Sequence, residues 1–260
     1  MISRVMNKDR ERIGNYLRST LVHSVGMCSK INKYGFESEE LYVYADYWAD
    51  GEIKYVFSVS QGEVSIFSTS DEIDIMDIYI YLRDHYIGYN SVTGEEKKVR
   101  EFMRHTLFRT QTELSVFLAN TRSFREPEFE EMKAVPAHVS DADDMLALCE
   151  QKNPAIKQHD KQALIDSIKE YGAYIIRDSA GDIVAQAIVE EKAGRMVEIG
   201  LYTISHEARN EEASMTAAAL ASAILKKKYA CCCRTSLVGE KQILKAMGFQ
   251  NVGTHLYLSR

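Results

Sequence analysis

Hydrophobic and polar positions along this chain follow two rhythms, one near the helical repeat and one of strict alternation. Over residues 8–22, Ile13, Leu17, Leu21 and Val22 share one side of a helical projection and predict an amphipathic helix. Three runs follow, LYVYADYW, EIKYVFSVS and EVSIFSTS, rich in tyrosine, valine and phenylalanine and divided by Asp50-Gly51 and Gln61-Gly62. That pattern predicts an antiparallel meander. IDIMDIYIYLRDHY, headed by Asp71 or Asp74, fits a helix, while its isoleucines and tyrosines leave a strand open. Ser91 or Thr93 then caps a charged helix, GEEKKVREFMRH, and TELSVFLAN alternates as a strand.

Residues 122–131, RSFREPEFEE, are charged and contain Pro127, which marks a linker between a domain at 1–121 and a second at 132–260. The second half restarts with a strand in EMKAVPAHV. Ser140 or Asp141 caps a helix, DADDMLALCEQ, whose early acids suit the helix dipole. KQALIDSIKEYG is another helix, closed by Gly172 in a left-handed cap. AYIIRD, DIVAQAIVEE and MVEIGLYTI predict three strands, the first two joined by the turn SAGD. A helix over 213–228, the strand YACCCRTSL, the short helix EKQILKAM, a turn at Gly248-Phe249 and a last strand THLYLSR complete the chain. The two halves share a loose order of helix, meander, helix and strand.

Composition narrows the function classes. Hydrophobic content of 45% and charged content of 27% are those of a folded globular chain. A net charge of −6 without a basic block gives no source of phosphate-backbone binding, so no nucleic-acid partner is expected. No run approaches ~20 apolar residues, so no membrane span is expected, and the N-terminal residues lack the apolar core of a signal peptide. Five cysteines, three of them contiguous at 231–233, do not form a disulfide framework and point to a reducing, cytoplasmic setting. The cysteine run has neither C-x-x-C spacing nor nearby histidine, so no metal site is expected, and a central strand would use it as small apolar packing. Tyr42, Tyr44, Tyr47 and Trp48 read as core plus an exposed edge.

The candidate chemistry lies at SHEARNEEAS, residues 205–214, where a strand feeds a helix. Such a junction can grip phosphate with backbone N–H groups and a helix N-terminus. Together with HVSDADDMLALCE, VEIGLYTI and LKAMGF, in that order and spacing, it resembles the GNAT acetyltransferases over roughly residues 132–260. The first half resembles the degenerate N-terminal half of tandem GNAT proteins, on its meander and on YNSVTGEEKKVREFM, where a glycine turn leads into a helix. The resemblance implies a mixed α/β (α+β) fold of two GNAT-like domains, each a mixed, mostly antiparallel sheet flanked by helices. It also implies acetyl-CoA as acyl donor. The backbone of Tyr202, Thr203 and Ile204 would hold the pantetheine, and Arg209, Asn210, Glu211, Glu212, Ala213, Ser214 and Met215 the pyrophosphate.

Two departures from that family stand out. Glu212 and Ser214 occupy the places of a glycine and a small residue in the acyl-CoA turn. Glutamates at ~6 Å from a diphosphate cost roughly 2–3 kcal/mol each before screening, unless they turn to water. The same acids also suit a plain helix start. Leu244 stands where many relatives carry a proton-donating tyrosine, and Tyr202, Tyr229 and Tyr257 are the remaining candidates for that role. Glu198 matches the strand glutamate that serves as base in some members. The resemblance therefore implies an N-acetyltransferase acting on a primary amine of a small molecule or peptide. The alternative is a catalytically inactive GNAT-fold binding or regulatory module. The first half is expected to wall the acceptor cleft or to make a homodimer.

Overall fold

The computed structural model describes residues 2–70, 73–152, 160–203 and 210–260. In chain order the elements are β1 (Ser3–Arg4), α1 (Arg10–Arg18), α2 (Leu21–Tyr34), β2 (Tyr42–Tyr47), β3 (Ile53–Ser60), β4 (Glu63–Phe67), α3 (Met76–Asp84), β5 (Ser91–Glu95), α4 (Glu96–Val99) and β6 (Thr110–Ala119). There follow β7 (Val135–Pro136), α5 (Ala142–Lys152), α6 (Lys161–Tyr171), β8 (Tyr174–Arg177), β9 (Ile183–Ala193), β10 (Met196–Thr203), α7 (Asn210–Lys226), β11 (Ala230–Thr235), α8 (Val238–Ala246) and β12 (Gln250–Ser259). The chain divides into two units, Met1–Leu114 with Gly253–Arg260, and Ser115–Val252. Each is a mixed, mostly antiparallel sheet flanked by helices.

In the first unit the meander folds as its turn residues dictate. β1, β2, β3 and β4 pair antiparallel in sequence. The chain then crosses through α3 to β5, which runs parallel to β4. Residues 255–259 of β12 close the sheet antiparallel to β5. Phe57, Val64, Ile66, Val92, Leu256 and Leu258 carry Ile78 and Leu82 of α3 on one face. Phe67 meets Tyr16 of α1 edge-on at 5.5 Å.

Two expectations change here and one open alternative is settled. The helix expected over 8–22 is two helices, broken where Thr20 leaves helical geometry (φ −137°, ψ 65°). Ser19 Oγ donates to the Tyr16 carbonyl and Ser24 Oγ to that of Leu17, which satisfies the end of α1 and favours the break. The segment open to helix or strand is the helix α3: Asp74 Oδ1 accepts from Met76 N–H at 2.8 Å, and Ile75, Ile78 and Leu82 are buried at helical spacing. Residues 91–95, expected to cap a helix or form a glycine turn, are instead the strand β5, paired on both sides with Val92 fully buried.

The second unit repeats the plan. β7, β8, β9 and β10 pair antiparallel in sequence, α7 crosses to β11 parallel to β10, and residues 115–119 of β6 run antiparallel to β11. Helices α7 and α8 cover one face through Ala217, Ala218, Leu220, Ala221, Ile243 and Leu244, against Val197, Ile199, Leu201, Cys231 and Cys233. Helices α5 and α6 cover the other through Met145, Leu148, Leu164 and Ile168, against Ile175, Ile188 and Tyr202. Ala213, Ala217, Ala218 and Ala221 of α7 are buried, so their small size serves close helix-to-sheet packing. Asp160 caps α6 by accepting from Gln162 N–H at 3.0 Å, and Gly172 ends it at φ 85°. The strand expected in EMKAVPAHV shrinks to Val135–Pro136, because Pro136 has no N–H with which to continue a ladder.

Gly248 follows α8 at φ 79°, and a side chain there would run into the Ser123 carbonyl. Gly248→Ala is therefore expected to lower stability by about 2–4 kcal/mol, read as a shifted urea midpoint at unchanged slope. All five cysteines are buried, with Cys231, Cys232 and Cys233 pushed to higher pKa first by desolvation. A chromogenic disulfide reagent at neutral pH should label none of them rapidly in the folded protein and all five in denaturant. Rapid labelling of a native thiol would contradict this packing.

Candidate active site

The parallel pair β10–β11 is joined for four rungs only, from Met196↔Ala230 to Ile199↔Cys233. Beyond that point β10 continues to Thr203, paired to β9 alone of its two neighbours, and β11 continues to Thr235, paired to β6. The two strands therefore part after Ile199 and Cys233. Helix α7 starts beyond the end of β10, at Asn210. A parted parallel pair next to a helix start offers strand backbone on one side and helix N–H groups on the other.

The face of this fork under α5 and α6 is polar. Glu198 of β10 is buried and receives a hydrogen bond from Arg234 Nη2 of β11 at 2.5 Å. The two side chains are 11% and 17% exposed, so the pair is largely out of water. Burial opposes the charge of Arg234, the Glu198 carboxylate outweighs it, and the guanidinium pKa is raised. Two residues along β10, Gly200 has no side chain, and a Cβ there would collide with Glu190 Oε1 and the Tyr202 ring. Tyr202 donates its hydroxyl hydrogen to Glu190 Oε1. Burial first, and then the Glu190 carboxylate, push the Tyr202 pKa well above its ordinary value, so it remains a neutral donor.

An extra residue in β9 produces this arrangement. Glu198 pairs with Glu191 but Ile199 pairs with Val189, so Glu190 is an added residue in the ladder. Gln186 lies directly across from Tyr202. It is fully buried, donates to the Met145 carbonyl at 2.9 Å and to Cys149 Sγ at 3.1 Å, and its Oε1 has no partner among the described residues.

Of the residues singled out from sequence, Glu198, Tyr202 and Thr203 line β10 at and beyond the fork. Ile204 and Arg209 lie outside the described residues. Asn210, Glu211 and Glu212 belong to the first turn of α7, which starts three residues before the expected 213. Glu211 is exposed, Glu212 and Ser214 are half-buried, and Ala213 and Met215 are buried against the sheet. Leu244 is fully buried in the α7–α8 core. Tyr229 packs its ring against the Lys192 ammonium at 5.0 Å, and Tyr257 sits in β12 of the first unit. The residues not anticipated are Glu190, Gln186 and Arg234. Arg234 left a trace in the sequence, as a lone charge closing the apolar run YACCC.

No family model matches this chain, and no curated protein matches it. Solved structures do. A Drosophila protein aligns over 100% of this chain and 98% of its own, at 10% identity and a TM-score of 0.68. A GCN5-related N-acetyltransferase-like protein from Streptococcus suis aligns over 98% and 100%, at 10% identity and 0.65. A tandem GNAT protein from the clavulanic acid biosynthesis pathway aligns over 100% and 98%, at 9% identity and 0.60. At such identities the likeness speaks to architecture, and on that ground the chain has the GNAT acetyltransferase fold.

Proposed function

We propose that this chain is an acetyl-CoA-dependent N-acetyltransferase acting on a primary amine of a small molecule or peptide. The observation that carries this reading is the parting of β10 from β11 after Ile199↔Cys233, beside the start of α7, in a chain with the GNAT fold. Acetyl-CoA would supply an activated thioester carbonyl. The backbone of Tyr202, Thr203 and Ile204 would hold its pantetheine, and residues 209–215 its pyrophosphate. The first turn of α7 suits that task in one respect: Ala213 and Met215 point into the core, which leaves backbone rather than bulk at the helix start. Glu211 is exposed, where water screens its charge.

Glu198 is the proposed base, taking a proton from the acceptor ammonium directly or through water. The freed amine attacks the carbonyl, the carbon–sulfur bond breaks, and the departing thiolate takes up a proton. Tyr202 is a poor source of that proton, because its raised pKa lies above that of a thiol, about 8.5. Leu244, buried in the core, cannot supply it either. A thiolate leaving toward the open end of the fork would be protonated by water. The second reading, a GNAT-fold binding module without catalysis, is favoured by Leu244 and by the acids Glu211 and Glu212 in the first turn of α7.

Thermal melting separates the two. Acetyl-CoA at ~100 times its dissociation constant should add about 2.7 kcal/mol, a rise of roughly 5–10 °C for a chain of this size. Absence of a shift at millimolar acetyl-CoA would sink the transferase reading. Glu198→Gln removes the carboxylate that a buried guanidinium donates to and is expected to cost about 3–5 kcal/mol in urea unfolding. The double variant Glu198→Gln/Arg234→Met should recover to within about 1 kcal/mol of wild type. If Glu198 is the base, that stable double variant binds acetyl-CoA and transfers no acetyl group; retained turnover would remove Glu198 from the mechanism.

A further inference from the structure

We infer that one end of the second unit, opposite the fork, docks on an anionic lipid surface. The inference stands apart from the transferase reading and needs no ligand at the fork. The fork lies toward the finishing ends of β10 and β11, and the end face in question is where those two strands begin. There β6 and β9 finish beside them, at Ala119↔Cys231 and Ala193↔Met196. Ala230 N–H donates to the Arg195 carbonyl at 2.8 Å, which joins the start of β11 to the β9–β10 turn. Arg125 N–H donates to the Met247 carbonyl at 2.9 Å, which joins the segment after β6 to the end of α8. Residues 120–126, 169–172, 191–195, 226–229 and 245–249 thus meet at one end of the sheet.

Each of these segments carries cations. Arg122 and Arg125 follow β6, Arg195 tips the β9–β10 turn, and Lys226, Lys227 and Lys228 close α7; all are exposed, and none enters an ion pair among the described residues. Lys169 and Lys245 add exposed ammonium groups in the last turns of α6 and α8. Lys192 alone is engaged, with Glu170 at 3.5 Å and over the rings of Tyr171 at 4.6 Å and Tyr229 at 5.0 Å. The acids in these segments are Glu126, Glu170 and Glu191. Helix ends account for part of the pattern, since terminal carbonyls favour lysine in a last turn. They do not account for Arg122, Arg125 and Arg195, which lie outside any helix. A net charge of −6 hides the patch, because it is assembled from segments far apart in the chain.

The makeup of this face selects a lipid surface over other polyanions. Among the described residues of these segments, none is an exposed large hydrophobic. Lysine outnumbers arginine there, whereas protein interfaces deplete lysine and rely on apolar and aromatic anchors. A nucleic-acid strand asks for a groove with rings free to stack. Here Tyr171 and Tyr229 lie against Lys192, and the cations spread across the ends of four neighbouring strands, a width of about 15 Å. A lysine ammonium is a point charge on a flexible stem, which suits a diffuse field of headgroups better than one shaped anion.

Sedimentation with vesicles tests this. At low salt the full chain should pellet with phosphatidylcholine vesicles that contain about one-third phosphatidylserine. It should not pellet with pure phosphatidylcholine, nor with the mixed vesicles in about 0.5 M salt, where charges are screened within roughly 5 Å. A basic residue near an anionic surface is worth about fivefold in partitioning, so Lys226→Gln/Lys227→Gln/Lys228→Gln should weaken binding about 100-fold. Arg122→Gln/Arg125→Gln, on a different segment, should weaken it about 25-fold. Both variants should melt as the wild type does, with or without acetyl-CoA, because the changed side chains are exposed and lie away from the fork. Failure of the wild type to pellet with the mixed vesicles overturns the inference, as does equal binding to uncharged vesicles or a loss confined to one of the two variants. Tighter binding to duplex DNA or to an oligoglutamate peptide than to the vesicles also overturns it, and reassigns the face to a nucleic-acid or a protein partner.

Discussion

The second unit depends on one electrostatic staple, the Glu198–Arg234 pair. Arg234 lies two residues past the rung partner of Glu198, and its guanidinium reaches back across the gap to the Glu198 carboxylate. The pair therefore ties β10 to β11 where the backbone ladder gives out. A buried pair of this kind adds little net stability against an apolar replacement, but losing either member alone is costly because the other keeps its charge out of water with less to balance it. Its worth lies in geometry. Strands that diverge without such a tie would expose main-chain groups along an ill-defined seam; with it, the divergence starts at a fixed rung.

The two faces of this sheet have opposite chemistry. The face under α7 and α8 is built from alanine, valine, leucine and cysteine, and its thiols are kept neutral by burial. They behave as small apolar groups that let a helix lie close. The face under α5 and α6 combines an apolar cluster with Gln186, Glu190, Glu198, Tyr202 and Arg234. Strand alternation sends successive residues of β10 to opposite faces, so Leu201 packs under α7 while Gly200 and Tyr202 border the carboxylates. One eight-residue strand thus serves both the core and the polar site.

Much of this was legible in the sequence. The meander, the helix in KQALIDSIKEYG with its Gly172 cap and the small-residue helix all follow from local periodicity and capping residues, which act over a few positions. What escaped depends on pairing between distant segments. DIVAQAIVEE reads as an uninterrupted strand, and only the ladder with β10 reveals that Glu190 is an added residue. SVTGEE carries a glycine and acids that favour a turn, yet Val92 is drawn into a core between β4 and β12, and tertiary burial overrides the local preference. Glu198 was found because it matches a family position; its partner was missed because a salt bridge across 36 residues leaves no local pattern.

The two units share strand order, a crossover helix and a parallel pair, yet differ at the point that matters for binding. In the first unit the β4–β5 ladder runs from Glu63↔Ser91 to Ile66↔Gly94, leaving a single residue on each strand. Just past it, the buried ammonium of Lys98 donates to the Ser68 carbonyl beyond β4 and to the carboxylate of Glu95 at the end of β5. A lysine so placed holds the strand ends together and fills the space between them with its own side chain. In the second unit the corresponding tie sits at the base of the fork rather than at its mouth, and β10 runs on for four residues past the last shared rung. The same topology therefore gives a closed pair in one unit and an open one in the other. The difference turns on where a single cation bridges the two strands.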